Sequence, residues 1–240
     1  MPNTPSPITP TVEHEVVRRI DAAAVCPIPF PHILIDGIFP ATFYAELLRQ
    51  IPSQEFYTPI SDTGAEGQRL VLHLARLDAL PAVRRIFWLK AASWLIGSNL
   101  ASAFAKKFAP VIEENAGRDP RELAYGVEAM LVKYSGGYQI GPHTGPRNHA
   151  ISALFHLPPN DNDEQHGTAL YAPYAPGFCS DGRAPLSLKE FGKIATVPFR
   201  PNSMFGFARS GSSFHGMEPV TDHIPERDAL LYTLSWRPLP

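Results

Sequence analysis

Two of the nine histidines in this chain stand where an imidazole can do chemistry. His143 follows an apolar run and a Gly141-Pro142 turn in IGPHTGPRNH, a position at the mouth of a sheet. His215 comes 72 residues later in SGSSFHGMEPV, directly after the β-rich run SMFGF. Arg227 lies another 12 residues on and opens the run RDALLYTLSW. Two neutral imidazoles suit a divalent transition metal. A guanidinium opening the next strand can pair with a dicarboxylate through its two-pronged fork. A metal site of this kind wants a carboxylate two places after the first histidine, and Gly145 stands there with no side chain to offer. The other seven histidines are read as hydrogen-bonded core or surface residues.

The elements that must position these residues are legible in outline. After Arg121 come six short runs rich in β-branched and aromatic residues: AMLVKYSGGYQI, HAISALFHLP, GTALYAP, KIATVPFRP, NSMFGFAR and RDALLYTLSW. Gly, Pro, Asn and Asp clusters separate them, as in an antiparallel sandwich or barrel. Several strands between His143 and His215 can bring the two together in a jelly roll. Upstream, FPHILIDGIF reads as a strand, and PATFYAELLRQIP reads as a helix with proline at its start and Pro52 as its stop. Residues 53–80 read as a polar loop placed over the site, and a long helix or helix pair is predicted from Pro81 to Asn115. Residues 1–11 are expected to be a disordered tail. Residues 12–240 are expected to form one α+β, mainly β domain, with helical parts at about 40–115 packed on one sheet and a β core at about 122–240.

Composition narrows the function classes. Hydrophobic residues make up 44% and charged residues 18%, and a net charge of −2 lacks the basic excess that nucleic-acid polymers select. A small-molecule partner is expected instead. Cys26 and Cys179 are too few for a disulfide framework, so a reducing cytoplasm and no disulfide-linked partner are expected. No secretory signal is visible at the N-terminus. The apolar stretch from Ile86 to Phe108 is interrupted by Lys90, Ser93, Ser98 and Asn99, which argues against a membrane span.

Taken in order, Y-x-x-G-Y-x-x-x-P-H-T at 134–144, S-A-L-F-H-L-P at 152–158, G-T-A-L-Y-A-P at 167–173, P-F-R-P-N-S-M-F-G-F at 198–207, S-F-H-G-M-E-P-V at 213–220 and R-D-A-L-L-Y-T-L at 227–234 resemble the iron(II)/2-oxoglutarate-dependent oxygenases of the prolyl-hydroxylase-like branch. FPHILIDGIFPATFYAELL is similar to their usual entrance, so the resemblance runs from about residue 28 onward. It implies a double-stranded β-helix (jelly roll, cupin-like) core. It also implies iron(II) held by His143 and His215, and the far carboxylate of 2-oxoglutarate held by Arg227. The family's third ligand is the acid of an H-x-D/E triad, and Gly145 is the departure.

Three explanations of that departure compete: an inactive jelly-roll binding protein; a hydroxylase with a carboxylate recruited from Asp161, Asp163, Glu164 or Glu218; or a vacancy put to use. The third matches the H-x-G halogenases that this sequence resembles, in which chloride or bromide takes the vacated position and its negative charge. That resemblance implies cofactors iron(II), 2-oxoglutarate, chloride and O2, and chlorination of an unactivated C–H carbon through an iron(IV)-oxo halide intermediate. Thr144, Asn148 and Thr168 are candidates to hold the ligands in place. Arg69, Lys133, Arg147 and Arg209 are cations available to a phosphate, and Tyr138 and Phe155 are rings on which a base can stack. Small stand-alone halogenases include enzymes acting on nucleotides, so the expected substrate is a free small metabolite, with a nucleoside monophosphate such as 2′-deoxyadenosine monophosphate among the candidates.

Overall fold

The computed structural model of the protein describes residues 8–161, 164–182, 185–219 and 226–239. In chain order the elements are α1 (Ile8–Ala22), β1 (His32–Asp36), α2 (Ala41–Gln50), β2 (Thr58–Ile60), β3 (Ala65–His73), α3 (Ala82–Leu95), α4 (Ser98–Lys107) and α5 (Ala109–Ala116). There follow β4 (Leu123–His143), β5 (His149–His156), β6 (Thr168–Pro173), β7 (Phe191–Val197), β8 (Ser203–Ala208), β9 (His215–Met217) and β10 (Arg227–Pro238). The strands form one antiparallel sheet in the order β1-β8-β5-β10-β4-β9-β6-β7, with β2 and β3 added beside β4. The long strand β4 is the spine, because it pairs with β10, with β3 and, at its C-terminal end, with β9.

Side-chain alternation along these strands separates a helix-covered face from a concave one. On β10, Leu230, Tyr232 and Leu234 join the large core that also holds Val16, Trp88, Leu95 and Phe104 from the helices. Arg227, Leu231 and Thr233 have the opposite parity and line cavities on the concave side. Phe104 packs on Tyr232 with ring centroids 5.3 Å apart. Each such buried aromatic is worth about 1.5–3 kcal/mol in surface removed from water, and that packing holds the sheet against its helices.

Three expectations change. The region predicted as one long helix or a pair from Pro81 to Asn115 is three helices, broken around Gly97 and again at Phe108, where Pro110 opens the last. The predicted loop 53–80 contains β2 and β3. Its polar residues are those of a solvent-facing strand, so their composition imitated a loop. The helix α1 begins at Ile8, so residues 8–11 are helical and not part of a tail; residues 1–7 lie outside the described residues. None of the described helices is long and apolar enough to cross a membrane.

Candidate active site

His143 closes β4 and stands directly opposite His215, the first residue of β9. Their ring centroids are 4.2 Å apart. The two side chains are anchored alike: Nδ1 of His143 meets the Gly141 carbonyl at 2.9 Å, and Nδ1 of His215 meets the Ser213 carbonyl at 2.9 Å. A carbonyl only accepts, so both Nδ1 atoms carry the proton and both Nε2 atoms keep a free lone pair. Burial lowers both pKa values, that of His215 the further because His143 also faces it. Two neutral, backbone-oriented imidazoles are the donor set a divalent metal takes.

The pair lines a cavity of about 400 Å3 together with Gly145, His149, Ser152 and Thr233. Among the described residues no group of three His, Cys, Asp or Glu side chains converges as metal ligands. Gly145 has φ +76°, and a Cβ placed on it would meet only His149 Nδ1, at 3.7 Å. The position is therefore open, in a backbone conformation that glycine adopts without strain.

A smaller cavity adjoins the first, sharing Tyr134, Leu154, Thr168 and Met217 with it, and Arg227 lies in its wall. The guanidinium is 2% exposed and lies over the Tyr134 and Phe199 rings at 5.3 and 5.7 Å. Nη1 donates to the His166 carbonyl, whereas Nε and Nη2 are buried with no acceptor. Burial pushes its pKa down to about 10, against the opposing pull of Tyr134 and Tyr138. Unpartnered buried donors on a cation are costly and call for an anion. His156 lines the same small cavity; its Nδ1 meets Ser203 Oγ at 2.9 Å, and its pKa is pushed down to about 3 by burial and by Arg227.

Among solved structures, the chain is similar to a prolyl-4-hydroxylase from Pseudomonas putida at 16% identity, with 92% of this chain and 99% of that one covered and a TM-score of 0.52. It is similar to a prolyl hydroxylase from Trichoplax adhaerens in complex with a hypoxia-inducible-factor peptide, at 14% identity, 93% and 88% coverage and a TM-score of 0.51. It is also similar to the epimerase SnoN in complex with Fe3+, alpha-ketoglutarate and nogalamycin RO, at 15% identity, 96% and 87% coverage and a TM-score of 0.53. The chain has the jelly-roll fold of the 2-oxoglutarate oxygenases. No protein-family model matches it, and no curated protein does.

Within that fold the remaining candidates divide sharply. Tyr138 and Thr168 line the main cavity. Tyr138 donates to Asp62 Oδ2 at 2.7 Å, and Arg69 Nη1 reaches both oxygens of the same carboxylate at 2.8 and 3.0 Å. Burial and the bond to Asp62 raise the Tyr138 pKa, so it stays a donor. Thr144 is buried behind the turn with its hydroxyl unpartnered, and Arg147 and Asn148 are exposed and off the cavity. Lys133 has the helix-side parity of β4, where Glu226 and Asp228 hold it at 2.9 and 2.8 Å, so it cannot serve the cavity. Arg209 is buried behind Gly145 and does not line the cavity either. Phe155 packs on Phe39 on the helix side.

Of the carboxylates considered as a substitute ligand, Glu164 pairs with Arg200 and Glu218 with Lys193. Asp161 lines neither cavity, and Asp163 lies outside the described residues. The acid that does line the main cavity, Asp62, was hidden in the polar run read as a loop. Two further histidines reach the concave side of β5: His156 shares the parity of Ser152 and Leu154, whereas His149 has the opposite parity and lines the main cavity beyond the register shift where Ser235 pairs with it.

Proposed function

We propose that the protein is an iron(II)- and 2-oxoglutarate-dependent halogenase acting on a free small metabolite. The observation that carries the reading is a cross-strand histidine pair facing an open Gly145, with no third protein ligand converging among the described residues. His143 and His215 would hold iron, and Arg227, with its two unsatisfied buried donors, would pair with the far carboxylate of 2-oxoglutarate. Chloride would take the place beside Gly145. When bound, these groups supply oxygen activation coupled to decarboxylation of the cosubstrate to succinate, and the transfer of halogen to a carbon that has lost a hydrogen.

The chain's own contribution is orientation and exclusion of water. The two backbone carbonyls fix the imidazole tautomers, and the depth of the histidines keeps their lone pairs unprotonated. Tyr134 and Phe199 wall the guanidinium, which strengthens its pairing with a carboxylate. The Asp62–Arg69–Tyr138 network presents a charged wall to the substrate, paired except at the buried Nε of Arg69. Of the four cations considered for a phosphate, Arg69 alone lines the cavity, and Asp62 already engages it. A small metabolite with hydrogen-bonding groups fits this wall directly; a nucleoside monophosphate fits by exchanging phosphate for Asp62 at Arg69.

The test is anaerobic addition of iron(II) and 2-oxoglutarate, with and without chloride, followed through the visible metal-to-ligand charge-transfer band. A band that shifts with chloride is expected. No band under either condition removes the enzyme reading, and a band indifferent to chloride removes the halogenase reading.

A further inference from the structure

Iron held by His143 and His215 would draw an anion to the place beside Gly145, and the backbone that follows adds little to that pull. The peptide that follows Gly145 ends in Pro146, which has no N–H. Behind the turn lies a buried cation instead. Arg209, 5% exposed, follows β8 and donates from Nε to the Gly145 carbonyl at 3.3 Å, from Nη1 to Asn115 Oδ1 at 2.9 Å and from Nη2 to the Ser180 carbonyl at 3.1 Å. All three acceptors are neutral. Burial and then Arg147 work against the guanidinium charge, and the attraction of Asp181 ranks behind both. The Gly145 carbonyl is also packed closely by Gly182, itself a cavity-lining residue, where an added Cβ would lie 1.7 Å from that oxygen. Gly145 is thus pinned by its oxygen to a cation while lining the cavity with its remaining surface.

We propose that Arg209 is a positioning residue for the halide: it fixes the Gly145 peptide and adds a buried positive charge behind the place that the absent side chain leaves open. This rests on the halogenase reading and deepens it. Coulomb attraction across one peptide, at the intermediate dielectric of a protein interior, is worth about tenfold or more in anion affinity.

The experiment titrates chloride anaerobically into the full chain loaded with iron(II) and 2-oxoglutarate, following the charge-transfer band, for the wild type, Arg209→Gln and Arg209→Lys. Arg209→Gln, which removes the charge, is expected to weaken chloride binding about tenfold or more. Arg209→Lys keeps the charge, though not all three hydrogen bonds, and is expected to stay within about threefold of wild type. The affinity for 2-oxoglutarate is expected to be the same in all three. Wild-type chloride affinity in Arg209→Gln overturns the inference, as does equal loss in both variants, which would make Arg209 a structural clamp. Should Arg209→Gln not fold, Arg209→Lys decides, since a folded lysine variant that loses more than about tenfold contradicts a role for charge. A wild-type protein without any chloride response fails the halogenase reading itself, a result distinguishable from failure confined to the variants.

Discussion

Replacing Arg227 by methionine should move stability and cosubstrate binding in opposite directions. The side chain is buried between Tyr134 and Phe199, with one donor satisfied by the His166 carbonyl and two donors, Nε and Nη2, satisfied by nothing. Each buried unpartnered donor costs on the order of 1–3 kcal/mol, and the bond to His166 is worth about 1 kcal/mol. Methionine fills similar space without a charge. The protein free of cosubstrate should therefore gain about 2 kcal/mol, a rise in melting temperature of about 4–8 °C for a chain of this size. Removing one partner of a buried charge pair costs about 2–5 kcal/mol, so 2-oxoglutarate affinity should fall by a factor of about 30 to several thousand. The assays are a melting curve without cosubstrate and an anaerobic titration of 2-oxoglutarate. A variant that melts several degrees lower and still binds 2-oxoglutarate within about twofold of wild type would refute the reasoning, because the orphaned donors would then not be a carboxylate site.

Other expectations follow from the same geometry. Gly145→Asp should fold, at a cost of about 1–3 kcal/mol for the left-handed backbone, since its Cβ meets only His149 Nδ1 at 3.7 Å; it should retain iron and lose the chloride-dependent band shift, and a surviving shift would place the halide elsewhere. Lys133→Met leaves Asp228 and Glu226 without their shared cation, so a chemical-denaturation curve should show a loss of about 2–3 kcal/mol with iron binding unchanged. Because burial and Arg227 hold the pKa of His156 at about 3, this base contributes nothing above about pH 6.5 and costs stability as pH falls from there toward its folded value. His156→Gln should flatten the acid side of the melting-temperature profile, and an unchanged profile would count against a neutral buried imidazole.

Much of this site was legible because strands impose parity. His143, His215 and Arg227 sit at strand ends, where turn residues and β-rich runs mark them; register sets the two histidines opposite each other and Arg227 opposite Tyr134, in the adjoining cavity. What misled was composition read without pairing. Lys133 follows Val132 and precedes the cavity-lining Tyr134, yet alternation turns it to the other face. Asp62 is polar because it pairs with Arg69 and Tyr138 at the cavity wall, and the first half of β3 because it faces solvent; their partner strand β4 lies far away in sequence, so no local pattern announces them. Arg209 has the composition of a surface charge, and only the approach of Asn115 and Ser180 from distant segments makes it a buried one.

The rung formed by His143 and His215 also fixes how the curled sheet holds itself shut. The three-residue strand β9 is the seam that joins β4 to β6, and so short a strand opens by local fluctuation at low cost. Whatever bridges the two histidines ties that seam, so occupancy and seam opening are linked equilibria. Amide exchange at Gly216 and Met217 should slow when metal is added, and the protein's grip on its metal is in part a measure of how long the seam stays closed.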